Sequence, residues 1–183
     1  MATRPTHCTT QRGVSLIETM SVLCVISLAI GTAIPSLGSL RQKAELAGAA
    51  AQVETDVQFA RSQALALNRT VQLTLREVNG ATCYIVHTGP AADCTCSGQE
   101  PSASACENES HLLRAVSFAS QGMVQVRSAS KSITFDPVRG TVTPTATLRI
   151  EARDGRRIHQ IVNLLGRIRS CSPQAGVAGE RAC

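Results

Sequence analysis

The stretch "GVSLIETMSVLCVISLAIGTAIPSL", Gly13–Leu37, is apolar except for one carboxylate, Glu18, near its start. From Val14 to Ile34 there are 21 mostly apolar residues. A helix of that length extends about 31 Å and matches a bilayer core of about 30 Å. A carboxylate in such a segment is costly unless a positive charge neutralises it. We therefore predict a transmembrane helix at residues 14–34 and ask which cation pairs with Glu18.

The residues around the apolar run argue against two simpler interpretations. The first 13 residues are polar and basic, with Arg4 and Arg12 and no acid. A secretory signal peptide would have a shorter apolar run that ends in a small-residue cleavage site, and no such exit follows here. An ordinary membrane anchor explains the length of the run but not the order Gly-Val-Ser-Leu-Ile-Glu at its start.

That order, Gly13-Val14-Ser15-Leu16-Ile17-Glu18, resembles the class III signal of type IV pilins and pseudopilins. In this family a prepilin peptidase cuts after the glycine and methylates the new N-terminus. The resemblance implies that residues 1–13 form a leader peptide and that Val14 becomes the modified first residue. Cleavage creates a positive amine, and in a filament the Glu18 carboxylate can pair with the amine of a neighbouring subunit. Glu18 is thus the residue expected to act in assembly.

A helical apolar stripe continues beyond the predicted membrane segment. Its members recur at alternating steps of four and three: Leu46, Ala50, Val53, Val57, Ala60, Ala64 and Leu67. This spacing predicts a periplasmic continuation of the helix at residues 35–68 with one face packed on a sheet.

The sequence after residue 69 is typical of strands. Alternation and β-forming residues predict strands at 70–75, 82–87, 112–118, 123–126, 132–135, 145–152 and 157–165, whereas 89–110 is a long loop. Asp154-Gly155 predicts a hairpin turn between the last two strands. The fold class is therefore α+β: a long N-terminal helix packed on a mostly antiparallel β-sheet domain at 69–165, followed by a basic tail at 166–183.

Two internal segments sharpen the resemblance. Phe59–Ala64, "FARSQA", and Phe135–Gly140, "FDPVRG", resemble the A-R-S-x-A and F-x-P-x-G stretches of the GspH/FimT family of minor pilins and pseudopilins. This resemblance implies the type IV pilin-like fold. Pro137 and Gly140 are interpreted as shaping a turn.

Six cysteines follow the predicted membrane helix: Cys83, Cys94, Cys96, Cys106, Cys171 and Cys183. An even number in this context favours disulfides in an oxidising compartment. A zinc site is the alternative, but Cys94-x-Cys96 lacks the usual gap and no histidine follows at finger spacing. The first four cysteines allow three pairings, among which the sequence does not choose. A bond between Cys171 and Cys183 would hold Arg181 near Arg167 and Arg169.

The basic end of the chain is the candidate binding site. Residues 139–183 contain eight arginines and three acids. In an extended backbone Arg167 and Arg169 point the same way, about 6.6 Å apart. Gly166-Arg167-Ile168-Arg169 is similar to the G-R-x-R tail of FimT-type minor pilins, which bind DNA during natural transformation. The resemblance implies that Arg167 and Arg169 contact DNA. Further candidates for the surface are Arg156, Arg157, Arg181 and Lys131. Few aromatics are present, so contacts should be to phosphate without sequence specificity.

No catalytic constellation, metal site or cofactor fingerprint is recognisable, so we do not expect an enzyme. The sequence predicts a minor type IV pilin in the inner membrane with a periplasmic domain, exposed on the pilus after assembly. Its predicted partners are DNA, other pilins, the prepilin peptidase and inner-membrane lipid. Two alternatives remain: a minor pseudopilin of type II secretion, and a minor pilin that only primes pilus assembly, whose arginines serve subunit contacts.

Overall fold

The computed structural model describes residues 13–97, 100–173, 177 and 179–183, with the backbone alone at 32–37. The predicted leader, apart from Gly13, lies outside the described residues. The chain divides into two compact units, Met1–Leu40 and Arg41–Cys183.

In the described part of the chain, one long α-helix precedes a succession of short strands. The helix is α1 (Leu16–Leu67). The strands are β1 (Val71–Val78), β2 (Ala81–Thr88), β3 (Cys94–Thr95), β4 (Ala105–Cys106), β5 (Leu112–Phe118), β6 (Val124–Ser128), β7 (Ser132–Phe135), β8 (Val142–Thr143), β9 (Ala146–Ala152), β10 (Arg157–Val162) and β11 (Ile168–Cys171), with a 3-10 turn at Pro101–Ala103 between β3 and β4.

The first unit contains the start of α1. The backbone N–H of Glu18 donates to the Ser15 hydroxyl at 3.4 Å, so Ser15 caps the helix. Serine followed three residues later by glutamate is the capping-box pattern, and the negative charge of Glu18 in the first turn complements the helix dipole. Within the residues that the structure describes, no helix has both the length and the hydropathy needed to cross a membrane.

The second unit packs the rest of α1 against two sheets. Six members of the predicted stripe are buried there: Leu46, Ala50, Val53, Val57, Ala60 and Ala64. Leu67 was wrongly included, because it is the last helical residue and 44% exposed. Asn68 follows with φ +50°, the left-handed conformation that commonly ends helices. The predicted α+β class, a helix packed on antiparallel strands, is confirmed.

The strands pair antiparallel in two main sheets. Among the described residues, the first sheet has the order β5-β2-β1-β7-β8 and the second β11-β10-β9-β6, while β3 and β4 pair separately. Both main sheets contribute to one apolar core with the helix, for example through Phe135 of β7 and Ile150 of β9. The Gln160 side chain of β10 donates to the backbone oxygen of Ala50 at 2.6 Å and ties the second sheet to the helix.

The predicted strands agree with the structure at the hairpin between β9 and β10 and differ from it after that hairpin. The Asp154-Gly155 turn joins β9 to β10 as expected. However, β10 ends at Val162 rather than at 165, and the chain turns into β11, which pairs with it from His159↔Cys171 to Val162↔Ile168. The segment 166–183, predicted as a tail, therefore contains the edge strand of the second sheet.

All six candidate cysteines are disulfide-bonded. Cys83 is joined to Cys96, Cys94 to Cys106, and Cys171 to Cys183. The first bond fastens the long segment after β2 to that strand, and the second joins β3 to β4 within the segment. In the described part of the chain, no group of three or more potential ligand side chains could hold a metal ion.

Candidate nucleic-acid interface

The turn between β10 and β11 positions the start of the arginine motif. The Asn163 side-chain oxygen accepts hydrogen bonds from the backbone N–H groups of Leu165 at 3.0 Å and Arg167 at 2.9 Å. The N–H of Gly166 donates to the Asn163 carbonyl at 2.9 Å, and the N–H of Asn163 donates to the Arg167 carbonyl at 3.1 Å. One asparagine thus organises the turn from which Arg167 projects.

Gly166 is required by this turn for two reasons. Its φ is +71°, which favours glycine. A Cβ there would also lie 2.9 Å from Cδ of Arg61 and 3.2 Å from a methyl group of Val142. The glycine of the motif therefore lets the chain reverse direction against the helix. The chain thus leaves β10 before this turn and returns beside it as β11.

The Arg61 side chain of α1 lies beside Gly166 and also contacts a second turn, residues 136–140. Its Nε donates to the Gly140 carbonyl at 3.2 Å. The 136–140 turn is closed by Asp136, whose carboxylate accepts from the backbone N–H groups of Arg139 at 2.7 Å and Val138 at 2.9 Å. These two bonds lower the pKa of Asp136. The FARSQA and FDPVRG segments therefore contact each other, and Arg61 is a supporting residue that sequence reasoning did not identify.

Arg167 and Arg169 both lie on the outer surface. Ile168 between them packs against the core, and both arginines are exposed. Alternation along a strand therefore sends their side chains to the same, solvent-facing side. Arg169 lies opposite Ile161 of β10.

Arg181 is brought to the same surface by the end of the chain. The N–H of Ser172 donates to the Arg181 carbonyl at 2.8 Å, and the N–H of Cys183 donates to the Ser172 carbonyl at 3.0 Å. The Cys171–Cys183 disulfide fastens this segment beside β11. As a result Arg169 and Arg181 line one shallow hollow together with Ile161.

The other basic candidates occupy different environments. Arg156 is held by Asp154 within the β9–β10 turn, with Nε 2.7 Å from the carboxylate, and this contact lowers the pKa of Asp154. Arg157 lies 3.4 Å from Glu151 across the strand pair. Lys131 precedes β7, and its carbonyl accepts from the N–H of Leu75 in the first sheet. Of the predicted DNA-contacting residues, the hollow is lined by Arg169 and Arg181, and not by Arg156, Arg157, Arg167 or Lys131.

The charges of the three clustered arginines are not neutralised within the described part of the chain. The ion pairs there involve other arginines: Arg41, Arg114, Arg156 and Arg157. Arg167, Arg169 and Arg181 are all exposed. This surface can therefore offer guanidinium groups to an anion without first breaking an internal ion pair.

Comparison with known proteins places the chain in one family. The family model described as "Type II transport protein GspH" matches residues 49–166. The match ends at Gly166, so the three clustered arginines lie outside it. No curated protein matches the chain.

Two crystal structures of the type IV minor pilin FimU of Pseudomonas aeruginosa are similar to it. The first has a TM-score of 0.49 and 19% identity, over 72% of this chain and 94% of that one. The second has a TM-score of 0.47 and 18% identity, over 70% of this chain and 97% of that one.

Proposed function

Since the chain belongs to the GspH family of minor pilins and pseudopilins, we propose that it is a minor type IV pilin that binds DNA through its C-terminal arginines during uptake. Proteins of this family are structural and not enzymes, and they are associated with pili or the cell envelope. The observation that carries the DNA-binding part lies at the edge of the second sheet: exposed Arg169 and Arg181 line one hollow, and exposed Arg167 lies two residues before Arg169 on the same side.

The chemistry of this cluster fits a phosphate backbone. A guanidinium group can donate two parallel hydrogen bonds to one phosphate. The chain has one Tyr, three Phe and no Trp, and Tyr84 and Phe135 are buried, so base stacking has little support. Binding should therefore be electrostatic, independent of base sequence and strongly weakened by salt.

The N-terminal unit supplies the assembly part of the proposal. Cleavage between Gly13 and Val14 by a prepilin peptidase leaves an amine two residues before α1. Residues 14–34 anchor the chain in the inner membrane before assembly, with the second unit in the periplasm. In the filament, Glu18 pairs with the amine of an adjacent pilin. The exposure of Glu18 in the first helical turn supports this role.

A minor pseudopilin of type II secretion is the second candidate, because the matching family is described as a type II transport protein and the match stops before Arg167. In that case, or in a pilin that only primes assembly, the arginines would contact other subunits. DNA binding separates these candidates from the first.

The test is DNA binding by the full-length protein in a non-ionic detergent, measured by fluorescence anisotropy over a salt series. Arg167→Gln with Arg169→Gln should weaken binding and reduce the slope of log K against log salt by about 2, one for each lost phosphate contact. Lys43→Gln with Arg69→Gln removes the same charge from two exposed positions elsewhere in the second unit and should leave the slope unchanged. Equal binding by wild type and the Arg167/Arg169 variant would reject the DNA-binding proposal.

A further inference from the structure

The outer face of the second sheet carries a row of basic residues, two arginines and a histidine, that crosses its strands. Arg127 of β6 pairs with Arg149 of β9, and Arg149 pairs with His159 of β10. Their strand neighbours Val126, Leu148 and Ile158 are buried. Because side chains alternate along a strand, the three basic residues point outward on one face.

This arrangement is unfavourable for the isolated domain. Like charges placed directly opposite one another destabilise a sheet. Within the described residues, neither Arg127 nor Arg149 forms an ion pair, and the nearby Glu151 is paired with Arg157. The hydrogen bond that Arg127 donates within the described part of the chain goes to the neutral Gln125 side chain, at 3.1 Å. The row therefore has unneutralised charge that an external anion could balance.

The pKa of His159 reflects the positive charge of the residues around it. Burial lowers its pKa most, and the charges of Arg149 and Arg157 lower it further, whereas Glu151 acts in the opposite direction. The imidazole is therefore neutral at neutral pH, and the positive charges around it oppose its protonation. An anion bound over this face would offset them.

The row is continuous with the arginine cluster. Ile161 lies two residues after His159 on the same face of β10, and it lies opposite Arg169 of β11. With strands about 4.8 Å apart, the path from β11 across β10 and β9 to β6 extends about 14 Å. That is long enough for two or three successive phosphates of one nucleic-acid strand.

We infer that DNA bound at the C-terminal arginines continues across the outer face of the second sheet, with its phosphates contacting Arg149 and Arg127. This inference rests on the proposed function and adds a direction to it: the backbone runs across the strands, from the edge strand β11 toward β6. The binding surface is thus a track formed by the sheet together with the end of the chain.

The experiment uses the full-length protein in non-ionic detergent and a duplex DNA of about 20 base pairs. Arg127→Gln with Arg149→Gln should weaken binding on the order of tenfold at low salt and reduce the salt slope by about 2. The matched control, Lys43→Gln with Arg69→Gln, should bind as wild type does. Urea unfolding of the Arg127/Arg149 variant should give a midpoint equal to or above that of wild type, because the substitution removes repulsion. A loss of binding by a correctly folded protein is then a loss of contacts.

A second measurement follows His159 itself. Its NMR titration should move to higher pH when DNA is added to wild type, and this shift should shrink in the Arg127/Arg149 variant. If wild type binds DNA but the variant has the same affinity and salt slope, DNA does not contact Arg127 and Arg149, and the proposed function still stands. If wild type binds no DNA, both fail. Binding to anionic phosphatidylglycerol vesicles in place of DNA would overturn the track and assign the face to a membrane surface.

Discussion

Gly166 connects local backbone geometry to the presentation of Arg167. Gly166→Ala introduces a Cβ at φ +71°, 2.9 Å from Cδ of Arg61. Arg61 must then move away and weaken its hydrogen bond to the Gly140 carbonyl. We expect the free energy of unfolding to fall by about 2–3 kcal/mol, measured by urea denaturation, with weaker DNA binding.

Gly155→Ala is the matched control for this substitution. Its φ is +86°, but beyond its two chain neighbours no atom of the described residues lies within 4 Å of the added Cβ. Gly155→Ala should therefore lower the free energy of unfolding by about 1 kcal/mol, through backbone strain alone. An equal loss of stability in the two variants would show that the Arg61 contact contributes nothing.

Asp56 of α1 is fully buried, and its contacts with Tyr84 and Arg114 join the helix to the first sheet. Its carboxylate lies 2.8 Å from the Arg114 guanidinium of β5 and accepts hydrogen bonds from the Tyr84 hydroxyl at 2.6 Å and the Gln52 amide at 3.0 Å. Burial and the bond to Asp56 raise the pKa of Tyr84, so the phenol remains a donor.

Removing this carboxylate should be among the most destabilising single changes in the second unit. Asp56→Ala leaves the Tyr84 hydroxyl without its acceptor, and we expect a loss of about 3 kcal/mol in urea unfolding. Arg114→Gln should also be destabilising, because it leaves the fully buried Asp56 carboxylate without its cation although the Arg114 side chain itself is 41% exposed. A change for Asp56→Ala within about 0.5 kcal/mol of wild type, the range of ordinary surface substitutions, would contradict this account.

His87 should make stability depend on pH. The ring is fully buried, with Nε2 2.9 Å from the Thr74 hydroxyl, and burial lowers its pKa below the ordinary 6.5. Above pH 6.5 the ring is neutral in both folded and unfolded chains. As the pH falls below that value, the unfolded chain gains a proton more readily, so stability decreases.

The measurement is the urea midpoint between pH 7.5 and 5. His87→Gln should flatten the decrease. The pKa of His159 is also lowered, so a smaller residual slope of the same sign should remain. An identical pH profile for wild type and His87→Gln would rule out His87 as its source.

At the level of secondary structure, the elements with strong periodicity were predictable. The helical stripe from Leu46 to Ala64 recurs often enough to identify both the helix and its buried face. The Asp154-Gly155 turn and the alternating β9 were equally clear. Leu67 was misassigned because spacing alone does not reveal where a helix leaves the core.

The missed elements are short or polar. The strands β3, β4 and β8 have two residues each, too few for any alternation to be recognised. The strand β11 contains Arg169 and Ser170 and was interpreted as tail, because its pairing partner β10 decides its conformation. The roles of Arg61 and the Arg127–Arg149 pair depend on contacts between distant segments. No local pattern encodes these contacts.

The C-terminal disulfide should act on one element more than on the whole domain. Cys171→Ser with Cys183→Ser opens a bond between residues 12 positions apart, which contributes at most about 3 kcal/mol in the loop-entropy account. We expect the Ser172 amide, which donates to the Arg181 carbonyl, to exchange hydrogen faster. DNA affinity should fall to that of Arg181→Gln, which keeps the disulfide. Unchanged protection of Ser172 would mean that the end of the chain is held without the bond.

For the whole molecule, the family match and the two proposed activities involve different parts of the chain. Residues 49–166 match the family model and contain most of the packed core. Glu18 precedes this region and Arg167, Arg169 and Arg181 follow it. Loss of assembly and loss of DNA binding should therefore be separable by mutation, with the core unfolding normally in both cases.

In the proposed function Glu18 acts in filament assembly, and the contribution of its charge can be separated from that of the helix cap. Glu18→Gln removes the charge but keeps a side chain that suits a capping box. We expect normal processing and membrane association but little protein in sheared pili, measured by quantitative immunoblotting of the two fractions. Ser15→Ala removes the hydroxyl that accepts from the Glu18 N–H, at a cost of about 1 kcal/mol to the helix start, and keeps the charge. It should enter pili nearly as wild type does. Normal incorporation of Glu18→Gln would reject the pairing with a neighbouring amine, and an equally large defect in Ser15→Ala would show that the capped helix start is required as well.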